Sequence, residues 1–260
     1  MMSKKIAFFD IDGTLLDHDK KLPDATIQAI KDLQEAGVYC AIATGRAPFM
    51  YPELRETLGI DSFVSFNGQY VVFEGEEVYK NPLSEPALEA LYADAELNNH
   101  PMVFMDHEQM KASTPDHSHI EESLGSLYLD HPPEDTAFFK GRNIYQSLLF
   151  CEGAEIEEYR KNHQAFDYIR WHQFSCDVLP QGGSKAEGIK KLIEAAGLKM
   201  EDAYAFGDGL NDIEMIREIG TGVAMGNAVE ETKAVSDFIT DDVSESGLVN
   251  AIYKLGLLKK

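Results

Sequence analysis

Short apolar runs separated by amphipathic helical patterns occupy the first and last parts of the chain. Nearly continuous apolar character is typical of strands buried on both faces, as in a parallel sheet that helices cover. Strands that alternate with helices predict an α/β fold, with ligands bound at the carboxyl ends of the strands. The predicted strands are residues 6–9, 38–43, 63–66, 203–206 and 222–225.

Amphipathic helices are predicted between these strands from apolar stripes and from helix start and stop signals. Asp24 is placed to cap a helix that ends near Gly37. The tetrapeptide Ser184-Lys185-Ala186-Glu187 matches a capping box, and it begins a helix that Gly197 would end. A further helix should stop at Gly220.

The middle of the chain has a different pattern of elements. It indicates a helix beginning at Ser84, two strands, an irregular polar stretch, and then a strand, a helix and two strands. The pattern of residues 111–141 predicts neither a helix nor a strand clearly. The strand candidates on either side of it are residues 102–105, 143–151, 166–170 and 174–179. We therefore predict an inserted α+β domain at 83–179 and a discontinuous core formed by 1–82 and 180–260. A chain of 260 residues is long enough for two such domains.

The composition adds a strong negative charge. The chain carries 45 acidic and 23 basic side chains, which give a formal net charge of −22. Such a surface repels nucleic-acid phosphates and anionic lipid headgroups, so we expect neither nucleic acid nor a membrane as a partner. An enzyme with this charge that acts on an anionic substrate needs local positive potential from a metal, a lysine or backbone amides.

Cysteine usage and the start of the chain bear on the location of the protein. Cys40, Cys151 and Cys176 are far apart and odd in number, so they indicate neither a disulfide framework nor a Cys-x-x-Cys metal site. This usage fits a reducing, cytoplasmic compartment. The apolar run at 6–9 is far too short for a signal-peptide core or a membrane span. The sequence pattern does not decide between a monomer and a dimer.

The sharpest chemical signal is a pair of aspartates directly after the first predicted strand. Asp10 and Asp12 are two residues apart, so their side chains lean the same way in extended backbone, and Gly13 permits a sharp departure of the chain. Asp208 follows the predicted strand 203–206. If the two strands are neighbours, the three carboxylates converge at one edge of the sheet. Hard oxygen ligands of this kind suit Mg²⁺.

Two further strand or helix ends offer the positive potential that the net charge makes necessary. Thr44, Gly45 and Arg46 follow the strand 38–43, and they offer a hydroxyl and backbone N–H groups. Lys185 lies in the first turn of its helix, where its ammonium and the helix N-terminus can both face an anion. An aspartate in such a site can attack phosphorus, and a second carboxylate can transfer the proton.

Together these segments resemble the haloacid dehalogenase superfamily, and within it the Cof-type phosphatases with a large α/β cap of type C2B. The motifs occur in the family's order as Asp10-Ile11-Asp12-Gly13-Thr14, Thr44-Gly45-Arg46, Lys185 and Gly207-Asp208-Gly209-Leu210-Asn211-Asp212, with a loop Phe66-Asn67-Gly68 before the cap. The resemblance spans the whole chain. It implies a Rossmann-like three-layer core with a parallel sheet, and an inserted α+β cap that closes over the substrate and selects it.

The resemblance also implies a role for each matching residue. Asp10 would be the nucleophile and a Mg²⁺ ligand, Asp12 the general acid/base and a ligand through its backbone carbonyl, and Asp208 the third ligand. Asp212 would orient Lys185 or a metal-bound water. Phosphate would be held by the Ile11 amide, Thr44, Gly45, Lys185 and Asn211. The implied activity is Mg²⁺-dependent hydrolysis of small phosphorylated metabolites, such as sugar phosphates or phosphorylated cofactors, through an aspartyl-phosphate.

Several alternatives stay open at the level of the sequence. A phosphomutase resembles the same family in motif and cap type, although residues 83–179 hold few cations for rebinding a sugar phosphate. A non-catalytic sensor of phosphate compounds is a third alternative, against which the complete catalytic set argues. Arg46 could contact substrate or form a structural ion pair. His117 and His119 could bind a second metal or belong to a polar loop of the cap.

Overall fold

The computed structural model of the protein describes residues 4–259, which divide into two units. The first unit (the core unit) comprises residues 4–46, 50–79 and 184–259, and the second (the inserted unit) comprises 47–49 and 80–183. Each unit has a sheet and a hydrophobic core of its own. The functional names catalytic core and cap, and the sequence-based boundaries given for them, stay predictions.

The described residues form the following strands and helices. The strands are β1 (Ile6–Phe9), β2 (Tyr39–Ala43), β3 (Phe63–Ser65), β4 (Tyr70–Phe73), β5 (Glu76–Lys80), β6 (Met102–Met105), β7 (Met110–Ala112), β8 (Gln146–Phe150), β9 (Phe166–Arg170), β10 (Ser175–Pro180), β11 (Ala203–Gly207), β12 (Thr221–Ala224) and β13 (Phe238–Ile239). The helices are α1 (Asp24–Glu35), α2 (Pro52–Leu58), α3 (Glu85–Leu97), α4 (Ser118–Gly125), α5 (Ile156–Asn162), α6 (Lys185–Ala195), α7 (Ile213–Glu218), α8 (Glu230–Val235) and α9 (Gly247–Lys254). Within the described residues, none of these helices has the length and apolar character that crossing a lipid bilayer requires.

A mostly parallel sheet forms the centre of the core unit. Its strand order is β13-β12-β11-β1-β2-β3-β4-β5, and the strands from β13 to β3 run parallel to one another. β1 therefore lies between β11 and β2, and it is buried along its whole length. Apolar residues of α6 and α7 pack in the same hydrophobic core as these strands. The predicted α/β fold with a parallel sheet is confirmed.

The edge of this sheet beyond β3 differs from the sequence prediction. The strand predicted at 63–66 ends at Ser65, because Phe66 and Asn67 have φ values of 52° and 50° and form a 3₁₀ turn with Gly68. The chain then returns as β4, which pairs antiparallel with β3. This turn brings the Asn67 side chain to the same end of the sheet as the ends of β1 and β2.

The helix that carries Lys185 begins as predicted. The Ser184 hydroxyl accepts a hydrogen bond of 3.3 Å from the Glu187 amide, which caps α6. The prediction that Asp24 caps the first helix is wrong. Pro23, with a φ of −69° and a ψ of 139°, occupies the cap position, and Asp24 is the first helical residue. Asp24 still places a negative charge in the first turn, at the positive end of the helix dipole.

An antiparallel sheet with the order β7-β6-β8-β10-β9 forms the inserted unit. Side chains of α3 and α5 share one hydrophobic core with this sheet. The order of elements agrees with the prediction of a helix, two strands, a polar stretch, and then a strand, a helix and two strands. The polar stretch 111–141 holds the end of β7, the short helix α4 and irregular segments.

Candidate active site

The carboxyl ends of the central parallel strands hold the candidate site. Phe9 at the end of β1 is level with Phe206 of β11 on one side and Ile42 of β2 on the other. Asp10 therefore leaves the sheet between these two strands, and its amide donates a hydrogen bond of 3.0 Å to the Phe206 carbonyl. Asp208 follows β11 in the same way. The sequence predicted that the carboxylates of Asp10, Asp12 and Asp208 converge at this edge. The structure brings Asp10 and Asp208 together, but the group of carboxylates there includes Asp212 and not Asp12.

A glycine allows the loop after β1 to lie against Asp208. Gly13 has a φ of 79°, and a Cβ atom at this position would lie 2.3 Å from Asp208 Oδ2. Any other side chain would therefore collide with the carboxylate as well as strain the backbone. The adjacent Thr14 hydroxyl donates a hydrogen bond of 3.2 Å to Asp208 Oδ1. The loop and the second strand end are thus held together by direct contacts.

Lys185 provides the positive charge inside this cluster. It is 1% exposed, and its Nζ lies 2.5 Å from Asp10 Oδ1 and 2.7 Å from Asp212 Oδ1. The other oxygen of Asp212 accepts hydrogen bonds of 2.9 Å from the amides of Asp208 and Gly209. Asp212 therefore connects the lysine to the loop that carries Asp208, as expected for a residue that orients Lys185.

The cluster holds more negative than positive charge. Carboxylate oxygens of Asp10, Asp208 and Asp212 lie within 4.8 Å of one another, and Lys185 is the cation hydrogen-bonded among them. Burial raises the pKa of Asp10 to about 7, opposed by Lys185 and assisted by Asp212 and Asp208. Burial and then Asp212 raise the pKa of Asp208 to about 6. Burial lowers the pKa of Lys185, but Asp10 and Asp212 outweigh it, so the ammonium stays protonated.

This donor set fits a hard divalent cation. Mg²⁺ prefers carboxylate and carbonyl oxygens, and it is usually bound by one or two protein carboxylates together with substrate phosphate and water. Burial is the main cause that raises the pKa values of Asp10 and Asp208, and the neighbouring carboxylates add to it. A bound cation would neutralise part of this negative charge. The three-carboxylate group includes Asp212, whereas the sequence prediction placed Asp12 in the ligand set through its backbone carbonyl. That assignment of Asp12 stays a prediction.

The side chain of Asp12 is held outside this cluster by two cations. Its carboxylate pairs with Arg46 through bonds of 2.9 Å from Nε and 2.6 Å from Nη2. Lys20 Nζ donates a third hydrogen bond of 2.7 Å. Burial raises the pKa of Asp12, but Arg46 and then Lys20 outweigh it, and the pKa is lowered. Of the two roles that the sequence left open for Arg46, the structure contains the ion pair.

Candidate phosphate-binding groups surround the same strand ends. Thr44 is buried, and its hydroxyl accepts a hydrogen bond of 3.1 Å from the Arg46 amide. Gly45 lies against the Asn67 side chain, since a Cβ on this glycine would come within 3.0 Å of Asn67 Nδ2. Asn211 Nδ2 donates a hydrogen bond of 3.3 Å to Asn67 Oδ1. The 66–68 turn therefore joins the Thr44 and Asn211 segments.

The peptide after Asp10 is fixed as well. The Ile11 carbonyl accepts hydrogen bonds of 3.1 Å and 2.8 Å from the amides of Leu15 and Leu16. This holds the loop in one conformation, with Ile11 itself fully buried. The predicted use of its amide for phosphate stays a prediction.

Sequence reasoning did not assign three residues that contact this site. Asn227 Nδ2 donates hydrogen bonds of 2.9 Å to the Gly13 carbonyl and 3.4 Å to Asp208 Oδ2. Asn227 follows β12. The rule that site residues follow the carboxyl ends of parallel strands (the strand-end rule) could therefore have found it. Asn67 lies in a loop that the resemblance noted without giving it a role. Lys20 gives no such signal, because it reaches Asp12 from a turn in which its own φ is 60°.

The histidines of the polar stretch have other contacts. The His119 ring stacks on Phe174 with centroids 4.1 Å apart, and its Nε2 lies 3.5 Å from Glu152. The His117 side chain accepts a hydrogen bond from the His119 amide. Across residues 4–259, no cluster of potential metal ligands includes either histidine.

Comparison with known proteins identifies the family to which this site belongs. Residues 7–252 match the family described as haloacid dehalogenase-like hydrolases. The chain belongs to this family. It is 52% identical to YkrA of Bacillus subtilis (strain 168) over 258 residues, which cover 99% of the chain and 100% of YkrA.

More distant relatives among the haloacid dehalogenase-like hydrolases carry names with a substrate. The chain is 31% identical over 255 residues to the 5-amino-6-(5-phospho-D-ribitylamino)uracil phosphatase YcsE of Bacillus subtilis (strain 168), with 95% of the chain and 94% of YcsE covered. It is 28% identical over 277 residues to the pyridoxal phosphate phosphatase YbhA of Escherichia coli (strain K12), with 97% and 98% covered.

Solved structures of the family have the same fold. A hypothetical protein of Geobacillus kaustophilus HTA426 has a TM-score of 0.95 and 56% identity, with 98% of this chain and 100% of that chain covered. A sugar phosphatase of haloacid dehalogenase subclass IIB has a TM-score of 0.84 and 29% identity, with 98% and 100% covered. The resemblance to Cof-type members of the haloacid dehalogenase superfamily is therefore confirmed, as is the assignment to the hydrolases.

Proposed function

We propose that the protein is a Mg²⁺-dependent phosphatase that hydrolyses monoesters of small phosphorylated metabolites through an aspartyl-phosphate on Asp10. The observation that carries this proposal is the buried Asp10 carboxylate, held 2.5 Å from Lys185 within a cluster that has excess negative charge. A nucleophile fixed beside a cation, at the carboxyl end of a parallel strand, suits attack on an anionic phosphoryl group. The names of the relatives YcsE and YbhA support phosphorylated cofactors and their precursors as the substrate class.

The residues of the cluster divide the work of the first step. Asp10 and Asp208, with the backbone carbonyl of Asp12, would hold Mg²⁺, which neutralises phosphoryl charge and orients the phosphate for attack. Lys185 keeps the Asp10 side chain oriented and offers its remaining N–H to a phosphoryl oxygen. Asp212 fixes Lys185 and the amides of the loop that follows β11.

Backbone and side-chain donors would complete the phosphate site. They are the Ile11 amide, the Thr44 hydroxyl, the Gly45 amide, Lys185 and the Asn211 side chain, which are the groups that the family resemblance assigns. The Asn67 backbone amide donates a hydrogen bond to the Thr44 carbonyl, and the Asn67 side chain accepts one from the Asn211 side chain. These contacts support the role, because they hold the donors in place before substrate binds. Such preorganised donors stabilise charge that develops in the transition state.

Asp12 would transfer the proton in both steps. A protonated Asp12 would donate to the leaving alcohol, and the Asp12 carboxylate would then take a proton from the water that hydrolyses the aspartyl-phosphate. The ion pairs with Arg46 and Lys20 hold the carboxylate form, which is the form that the second step needs. Rapid hydrolysis of the intermediate is what distinguishes a phosphatase from a mutase.

The direct experiment measures orthophosphate release from a generic aryl phosphate by the purified chain. We expect activity with Mg²⁺, loss of activity with EDTA, and recovery when Mg²⁺ is added back. Reduction of the quenched enzyme with borohydride should convert a phosphorylated Asp10 to homoserine, which peptide mass spectrometry locates. Turnover that needs no metal, or a label on another residue, contradicts the proposed mechanism.

The substrate class is tested separately with a panel of metabolites. Sugar phosphates, pyridoxal phosphate and the phosphoribitylaminouracil ester are compared by kcat/KM. We expect orthophosphate and the free alcohol as products. An isomerised sugar phosphate without orthophosphate release would indicate the mutase, and binding without turnover would indicate the sensor.

A further inference from the structure

Two cysteines that are distant in the sequence meet in the inserted unit. Cys176 of β10 is directly opposite Leu149 of β8 in the antiparallel ladder. Just beyond β8, the Cys151 amide donates a hydrogen bond of 3.0 Å to the Phe174 carbonyl. Cys151 and Cys176 are therefore diagonal neighbours on one face of the sheet, since each lies two residues from the other's cross-strand partner. Both are 0% exposed and belong to the same hydrophobic core.

The pair lies beside an arginine. Arg170 lies opposite Cys176 on β9, and its Nη2 is 3.8 Å from Cys151 Sγ. The guanidinium is fixed there, because it also donates to the backbone carbonyls of Cys151, at 3.1 Å, and Gly153, at 3.2 Å. A thiol, a second thiol and a permanent cation thus form one cluster.

This arrangement makes the two thiols chemically unequal. The neighbouring Cys176 thiol lowers the pKa of Cys151, and Arg170 lowers it further against the effect of burial. The Cys151 thiol and burial raise the pKa of Cys176. Cys151 is therefore the better nucleophile, and Cys176 is a neutral thiol next to it on the sheet. Redox-active cysteine pairs combine these two properties.

We propose that Cys151 and Cys176 form a redox-active pair that hydrogen peroxide converts into a reversible intramolecular disulfide. The Cys151 thiolate attacks one peroxide oxygen and becomes a sulfenic acid, while the other oxygen leaves as hydroxide and takes up the proton that the thiol lost. The Cys176 sulfur then attacks the Cys151 sulfur and displaces hydroxide, which combines with the Cys176 proton. Two thiols and one peroxide thus yield one disulfide and two waters.

The position of the pair predicts that the disulfide is easily reduced. Diagonal neighbours in a regular ladder have Cα atoms about 7–8 Å apart, slightly beyond the span of a relaxed disulfide. Closing the bond requires a small backbone movement, which is easiest at Cys151 because β8 ends at Phe150. A strained disulfide has a higher reduction potential and is reversible by cellular thiols.

Cys40 provides an internal control. It lies in the core unit, its thiol contacts the Val38 carbonyl at 3.9 Å, and burial alone raises its pKa to about 12. It is thus a buried thiol without the acidifying contacts of Cys151. Oxidation by general unfolding would affect all three cysteines, whereas oxidation through the proposed pair would leave Cys40 reduced.

The test treats the native full chain with hydrogen peroxide, and then denatures it in excess alkylating agent for peptide mass spectrometry. We expect a peptide pair linked through Cys151 and Cys176, its disappearance after treatment with dithiothreitol, and alkylated Cys40. The proposal is overturned if Cys151 and Cys176 remain as fully alkylated as Cys40, or if the linkage includes Cys40 or a second copy of the chain.

Variants separate the two steps. In Cys176→Ser, dimedone should trap a sulfenic acid at Cys151, and its absence would show that Cys151 is not the attacked thiol. Cys40→Ser should form the linked peptide as the native chain does. Arg170→Gln should slow linkage several-fold, because it removes the cation that lies 3.8 Å from Cys151 Sγ. Arg170→Lys should recover part of the rate, and equal rates in all three proteins would contradict the role of the cation.

Discussion

Asp10 in the core unit and Asp177 in the inserted unit are equally buried carboxyls with different surroundings. They are 7% and 9% exposed, and burial is the main cause that raises the pKa of each, to about 7 and about 8. Asp10 has Lys185 at 2.5 Å and two further carboxylates nearby. Apart from burial, the group that shifts the pKa of Asp177 is the Trp171 indole, which lowers it. The Nε1 atom of this indole makes no hydrogen bond of normal geometry.

The difference concerns how each acid can compensate for its burial. Asp177 has no charged neighbour that shifts its pKa, so binding a proton removes the whole cost of the buried charge. Binding one proton is not enough for the Asp10 cluster, because three carboxylates around one lysine keep a net negative charge whichever oxygen is protonated. A bound cation would neutralise that remaining charge. Burial of an acid is therefore a weak indication of function, whereas excess carboxylates around one lysine are a strong one.

The largest expected difference between the two aspartates is in catalysis. Asp10→Asn should lower kcat by at least about four orders of magnitude, because it removes the proposed nucleophile. Asp177→Asn should keep kcat within about threefold on an aryl phosphate, because it preserves shape and the neutral state. Steady-state phosphate release measures both. Comparable losses in the two variants would mean that Asp177 takes part in the reaction, and near-normal turnover of Asp10→Asn would exclude the covalent mechanism.

The second prediction removes the cation from the cluster. Lys185→Met should lower the free energy of unfolding in metal-free buffer by about 3–5 kcal/mol, because it leaves buried carboxylates unpaired. Urea denaturation followed by circular dichroism measures this change. Lys190→Met is the matched control on the same helix. Lys190 pairs with Glu187 and Glu218 at 2.6 Å and 2.7 Å but is 40% exposed, so its loss should cost under about 1 kcal/mol.

Equal losses in these two lysine variants would show that the buried pairs contribute no more than surface pairs. A second variant guards against misreading a general packing defect. Lys185→Met combined with Asp212→Asn should regain part of the lost stability, since one of the two unpaired charges is gone. If the double variant is less stable than Lys185→Met, packing rather than charge explains the effect.

The third prediction concerns the pH dependence of stability and isolates Asp177. Its pKa is raised from 3.8 to about 8 in the folded protein, so between these values the folded state binds the proton that the unfolded state releases. The contribution of Asp177 to stability therefore falls as pH rises from about 4 to about 8, by up to about 1.4 kcal/mol per pH unit. Asp177→Asn, which resembles the protonated acid, should gain stability relative to the native chain over this window and no further above it.

Chemical denaturation at several pH values checks this prediction. The comparison is the difference in unfolding free energy between the variant and the native chain, because other groups titrate equally in both. Asp130→Asn, at an exposed position, is the control and should show a flat difference. A flat difference for Asp177→Asn as well would mean that water or another polar group solvates the carboxyl.

The main residues of the candidate site were predictable because their signals are local. Asp10, Thr44 and Asp208 each follow an apolar run, and parallel strands end at a common edge, so the strand-end rule was enough to bring them together. Lys185 was found from its position beside a helix cap. The fold class followed from the same alternation of strands and helices.

The contacts that sequence reasoning missed depend on register and on turn geometry. The Lys20 contact with Asp12 requires a turn with a positive φ at Lys20, which no residue pattern indicated. The meeting of Cys151 and Cys176 depends on the register of β8 and β10, whereas the sequence showed only wide spacing. Long-range register and side-chain direction are properties of the packed structure, so they become visible only there.

The last and smallest predicted effect tests the ion pair that holds Asp12. Arg46→Met removes two of the hydrogen bonds to the Asp12 carboxylate and leaves the one from Lys20. We expect kcat to fall on the order of tenfold with little change in KM, because the proton-transfer group loses its orientation while the phosphate site is kept. Lys20→Met should have a smaller effect, since the bidentate pair remains.

The pH profile distinguishes orientation from a merely structural role of Arg46. The guanidinium lowers the pKa of Asp12, which must be ionised to act as the base in the second step. Its removal should therefore move the acid limb of the pH dependence of aspartyl-phosphate hydrolysis to higher pH. Arg46→Lys keeps the charge but not the bidentate geometry. It should therefore restore the pH position of the acid limb more fully than it restores kcat. If kcat falls while the acid limb stays at the same pH, Arg46 has only a structural role. The proposed proton transfer by Asp12 would then not depend on its ion pair with Arg46.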